Sequence, residues 1–173
     1  MRILIDGYNL AHASTWLALK GRVREPEGLR HMLVEMLVHY AEHTDDAMTL
    51  IFDGLPADHQ RTINRAASAG IEVIFSGHND DADGVIERML DLTTGARDML
   101  VVSSDRRIRT AAAHAGARSS SSGEFFNRMR TALTRPDPAA PTEPNAKYTG
   151  VPPADVPLWL RILGFEDDSN GDT

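Results

Sequence analysis

An α/β sandwich, a central and mainly parallel sheet with helices on both faces, is the fold class this sequence predicts. Three observations carry it. β-rich runs alternate with helix-like segments over the first 133 residues, three of the runs lead into an aspartate, and 42% hydrophobic content in 173 residues builds one buried core but not two large ones.

Arg2 to Ile5 is a β-rich run with the turn signal Asp6-Gly7 behind it, which reads as a buried strand with Asp6 at its carboxyl end. A loop containing Gly21 and Pro26 follows. Leu29, Met32, Leu33, Met36, Leu37 and Tyr40 then recur at intervals of three and four, the mark of an amphipathic helix. The second strand runs from about Met48 to Phe52 and ends in Asp53-Gly54. His59 to Ala69, stopped by Gly70, predicts a helix, and Ile71 to Phe75 a third strand. Asp80-Asp81-Ala82-Asp83 puts acids in the first turn of a helix carrying Val85, Ile86, Met89 and Leu90, where they complement its dipole. Met99 to Val102 is the fourth strand, followed by Ser103-Ser104-Asp105. Arg106 to Ala115 is helical in composition, Ala117 to Ser120 a short fifth strand, and Gly123 to Leu133 a last helix.

Past Leu133, seven prolines from Pro136 to Pro157 preclude long regular structure. The chain is therefore expected to divide into a folded domain at 1–135, a Pro-rich linker at 136–153, a short amphipathic helix at 154–164 and a disordered acidic tail at 165–173. Leu158, Trp159, Ile162 and Leu163 line the short helix, which is expected to dock on its own domain or on a protein partner.

Composition excludes several classes. Without cysteine there is no disulfide, thiolate zinc site or thiol nucleophile, so any metal must sit on oxygen or imidazole. No apolar run approaches the ~20 residues of a membrane span and no leader pattern is read, so a cytoplasmic protein without membrane contact is expected. The glycine-rich dinucleotide and P-loop fingerprints and the G-x-S-x-G elbow are missing. The seven histidines are scattered; His39 and His43 are four apart, and with no carboxylate partner expected for them a surface or core-edge reading is favoured over zinc. The net charge of −7 speaks at first against nucleic acid. Residues 136–173, however, hold seven acids against two bases and so contribute −5, leaving residues 1–135 with 16 bases against 18 acids.

Asp6, Asp53 and Asp105 all fall where the carboxyl ends of parallel strands open, the edge at which open α/β sheets bind ligands. Asp83 opens the helix after the third strand, and Glu87, four residues on, shares its side. Singly, each has a bland reading, since Asp-Gly is a common turn pair and first-turn acids serve the helix dipole. Jointly they make a costly cluster that a hard divalent cation such as Mg²⁺ or Mn²⁺ relieves.

The segments Ile3-Leu-Ile-Asp-Gly-Tyr-Asn-Leu10, Ile51-Phe-Asp-Gly54, Ile71-Glu-Val-Ile-Phe75, Asp81-Ala-Asp-Gly-Val-Ile-Glu87 and Val101-Val-Ser-Ser-Asp105 resemble, in order and spacing over about residues 1–133, the YacP-like NYN domain, a relative of PIN-domain nucleases. The resemblance implies a PIN-like α/β/α sandwich of strand order 3-2-1-4-5 and a metal-dependent endoribonuclease acting on single-stranded or ribosome-associated RNA. It places catalytic, metal-binding acids at Asp6, Asp83 and Asp105 around Mg²⁺ or Mn²⁺, with Asn9, Ser103 and Glu87 supporting and Asp53 and Asp81 as helpers. Arg106, Arg107 and Arg109, with Arg22 and Arg24 in the first long loop, are candidates for the RNA backbone, and Tyr8 for stacking on a base. Exposed arginines are as often simply solvated, and Tyr8 beside a buried strand is as readily packing. Two alternatives stay open: a non-catalytic RNA- or ribosome-binding module with an inherited acidic site, and a scaffold that recruits a partner through the Trp159 helix.

Overall fold

The computed structural model describes residues 1–13, 26–56 and 60–133. Arg22, Arg24, the linker, the 154–164 helix and the tail lie outside the described residues. The elements run β1 (Arg2–Asp6), α1 (Gly7–Ala13), α2 (Pro26–Ala41), β2 (Ala47–Phe52), α3 (Gln60–Ser68), β3 (Ile71–Phe75), α4 (Ala82–Asp91), a 3₁₀ turn (Ala96–Asp98), β4 (Met99–Val102), α5 (Arg106–His114), β5 (Arg118–Ser120) and α6 (Ser122–Leu133).

The five strands form one parallel sheet in the order β3-β2-β1-β4-β5. β1 is central: Ile5 lies opposite Leu50 of β2 on one side and Val102 of β4 on the other. Covered on both faces, β1 is apolar at every position from Ile3 to Ile5, as a buried parallel strand must be. The chain leaves β1 outward through β2 and β3 and returns to its other flank with β4. The crevice between β1 and β4 is thus the topological switch point, where a parallel sheet offers a ligand site.

The pleat decides which side chains meet there, because alternate residues face opposite sides of the sheet. Ile3, Ile5, Leu50, Phe52 and Val102 join the larger core with α1, α2, α3 and α6, whereas Leu4, Ile51, Met99 and Val101 join Ile86 and Leu90 of α4 and Ile108 and Ala112 of α5. Asp6, Asp53 and Ser103 continue the second set by parity. Three strand ends therefore present polar groups on the face where α4 and α5 begin. No helix of the described residues is long and apolar enough to cross a membrane.

Two expectations are corrected in detail. Asp6-Gly7 is not a turn into a loop; α1 starts directly at Gly7. A Cβ built on Gly7 would lie 2.5 Å from Phe52 Cδ1 and 2.8 Å from the Ile51 carbonyl oxygen, so the glycine is there for close approach of α1 to β2 and not for turn conformation. Helix α2 is also buried more widely than one stripe, since Val34 and Val38 are inaccessible along with Leu33 and Leu37. It packs against α1, α3 and α6 together.

Gly7→Ala should destabilise the fold by about 1–3 kcal/mol, the cost of overpacking against a backbone carbonyl that cannot swing away. A urea midpoint unchanged from wild type would show that β2 yields to the extra methyl.

Candidate active site

Asp6 is the one buried carboxylate among the described residues, 6% exposed. Its Oδ1 accepts the backbone N–H of Asn9 at 3.1 Å and its Oδ2 accepts the hydroxyl of Ser103 at 3.0 Å. These bonds favour the ionised form, but burial dominates, with the charges of Asp53 and Asp105 adding to it, and the Asp6 carboxyl is pushed above its ordinary value. Ser103, itself fully buried, accepts the Asp105 N–H at 3.0 Å and so ties the end of β4 to Asp6.

Asp83, half-buried in the first turn of α4, is likewise raised, by desolvation first and then by Asp6, Asp105 and Asp81. The structure thus brings Asp6, Asp83 and Asp105 within electrostatic reach of one another. Among the described residues, however, no three His, Asp or Glu side chains close on a point that would hold an ion. They border open hollows instead. Asp6, Asp53 and Asp83 line a cleft of about 500 Å³ with Tyr8, Asn9, His12 and Ser104. Asp105 borders the adjoining hollow with Glu87, Arg106, Arg107, Thr110 and His114.

The remaining candidates have local duties. Asp105 is the N-cap of α5, its Oδ1 accepting the Arg107 N–H at 2.6 Å; Asp81 caps α4 through the Gly84 N–H at 2.7 Å. Asp53 Oδ1 accepts the Ala82 N–H at 2.6 Å, pinning α4 to the end of β2. Asn9 is a strut, because its Oδ1 accepts both the Ser104 N–H at 3.0 Å and the Ser122 hydroxyl at 2.7 Å. Glu87 takes a two-pronged bond from Arg107, Nε to Oε1 at 2.7 Å and Nη2 to Oε2 at 2.6 Å. Neither residue of that pair faces the cleft unengaged. Arg106 and Arg109 are exposed on α5. Tyr8 accepts a hydrogen bond from Arg30 and sets its ring edge to Phe52 at 5.3 Å, so packing claims it. His12, exposed at the end of α1, was not legible as a site residue; only its spacing of four from Tyr8 hints at a shared face.

A parallel sheet in this order, with carboxylates gathered at its switch point, defines a PIN-like nuclease fold. The YacP-like NYN domain model matches residues 3–148, and the chain belongs to that family. Two crystal structures of Rae1 (YacP) from Bacillus subtilis, one of them a point mutant, are similar to it. The mutant is 26% identical with a TM-score of 0.60, the alignment covering 76% of each chain. The other is 26% identical with a TM-score of 0.61, covering 76% of this chain and 75% of that one. No curated protein sequence matches.

Both raised acids have folded pKa values above the ordinary 3.8. A raised carboxyl binds its proton more tightly folded than unfolded, so stability without divalent ions falls as pH rises from 3.8 through each folded value. Asp83→Asn should therefore melt about 2 °C higher than wild type at pH 7 in chelator-treated buffer, with the gain shrinking towards pH 4. A melting point at or below wild type's would exclude a crowded acid site. The Glu87 and Arg107 side chains are 30% and 54% exposed, so water screens their pair and its net weight in the fold is small. Arg107→Ala should leave the urea midpoint close to wild type's, and adding Glu87→Gln should shift it no further; a clear downward shift would give the pair a structural weight that its exposure denies.

Proposed function

We propose that this protein is a metal-dependent endoribonuclease that hydrolyses phosphodiester bonds in single-stranded or ribosome-associated RNA. One observation carries the reading: Asp6 is kept buried and charge-crowded by Asp53, Asp83 and Asp105 at the switch point of a PIN-like sheet. Such crowding is a liability for the fold and an asset only to a site that binds cations.

Asp6, Asp83 and Asp105 are the residues that would hold the ion. Their donors are all oxygen and the cleft has room for retained water, which suits Mg²⁺ or Mn²⁺. When bound, such an ion lowers the pKa of a coordinated water and stabilises charge on the phosphate and leaving oxygens. Ser103 and the Asn9 N–H fix the direction of the Asp6 lone pairs. On this reading Arg106, which borders the hollow beside Asp105, would meet phosphates on the α5 side together with Arg109, since Arg107 is committed to Glu87.

The second reading, an RNA- or ribosome-binding module with an idle site, draws on the lack of three converging donors. Cleavage of a labelled single-stranded RNA with Mn²⁺ separates the two. The full chain should cut it, and Asp6→Asn and Asp83→Asn should each lose at least roughly 100-fold, beyond what removing an outer hydrogen-bond partner costs. Equal cleavage by wild type and both variants sinks the mechanism. Binding without cutting selects the idle module.

A further inference from the structure

We propose that His12 is a nucleobase platform, on which one unpaired base of the RNA beside the cleaved phosphate stacks. The inference rests on the RNA reading above and adds to it the residue that would grip the substrate.

His12 lines the same cleft as Asp6 and Asp83 and is exposed to it. Its ring lies near-parallel to that of Tyr8, at 28°, with the centroids 6.4 Å apart. Tyr8 makes a stiff backing. Arg30 bonds its phenol oxygen and sits with its guanidinium carbon 5.8 Å over the ring, while Phe52 abuts it edge-on. Tyr8 is therefore spent on packing, and the outward ring of the pair belongs to His12. A position five residues into α1 puts it roughly 7.5 Å along the helix axis from Gly7, the residue next to Asp6, within reach of a nucleotide flanking the scissile phosphate.

The chemistry at that place favours a base over a phosphate. A phosphate on this wall would face the carboxylates of Asp6, Asp53 and Asp83. A base is uncharged and every base has a π-face, so aromatic stacking tolerates any sequence and requires only that the base be splayed from its neighbours.

The test compares wild type, His12→Ala and His12→Phe on a single-stranded RNA oligonucleotide, with and without an abasic nucleotide at each position around the cut. Stacking predicts that His12→Ala raises KM by about fivefold or more with kcat little changed. His12→Phe restores KM, and an abasic residue at one position raises KM for wild type but not for His12→Ala. The platform is overturned if His12→Ala cuts like wild type, or if kcat falls and phenylalanine does not rescue it, which would assign the role to the imidazole nitrogens. If wild type binds without cutting, dissociation constants replace KM: weakening in His12→Ala with rescue in His12→Phe supports the platform while the nuclease reading fails. A wild type that neither binds nor cuts the RNA overturns both.

Discussion

The carboxylate of Asp6 is taken out of water at the end of the central strand, and the layout of the switch point follows from how that charge is held. Two groups compensate it directly, the Asn9 N–H in the first turn of α1 and the Ser103 hydroxyl just past β4. One fixes where α1 must start and the other where β4 must stop. The same Ser103 oxygen receives the Asp105 N–H, so the turn into α5 is aligned on it too. Ninety-seven residues separate Asp6 from Ser103, yet one hydrogen bond sets both strand ends. Loss of a partner would leave a buried charge short of compensation, which is costlier than the bond itself is worth.

Helices α4 and α5 both begin over this charge, yet the first-turn N–H groups of Ala82, Gly84 and Arg107 are directed to carboxylates other than those of Asp6 and Asp83. Asp81 and Asp53 serve the start of α4 and Asp105 the start of α5. Burial and like-charge repulsion then win at Asp6 and Asp83. On the proposed reading, a divalent cation is what neutralises them.

Periodicity and turn chemistry made the sheet readable: each of the five β-rich runs is a strand to within a residue or two, and pleat parity alone would have placed Asp6, Asp53 and Ser103 on one face. The start of α1 was not readable, because Asp-Gly is a turn signal by local preference and the reason for helix is a tertiary contact with Phe52. Roles resting on distant partners were hidden likewise. Arg107 reads as a free cation until Glu87, twenty residues earlier, is seen to hold it. Asn9 reads as a ligand until Ser122, 113 residues later, claims its oxygen. His12 was hidden too, because what marks it is its place beside the Tyr8 ring and the cleft, which spacing along the chain does not report.

The disposition of arginines sharpens what kind of binding this domain can support. Arg65 is paired with Glu35, Arg88 with Asp80, Arg107 with Glu87 and Arg128 with Asp46. Each such pair leaves the net charge unchanged but holds an arginine against a carboxylate of the protein instead of a ligand. Affinity for a polyanion grows with the number of phosphates neutralised, and its salt dependence grows with the same number. Among the described residues no arginine lines the carboxylate cleft itself, which means few phosphate contacts there. RNA held here on the proposed reading must draw its affinity from other terms: a bound cation that turns the cleft from repulsive to attractive, stacking that salt does not screen, and a larger assembly that presents the strand. A domain built this way would bind free RNA weakly and cut it where something else has already placed it.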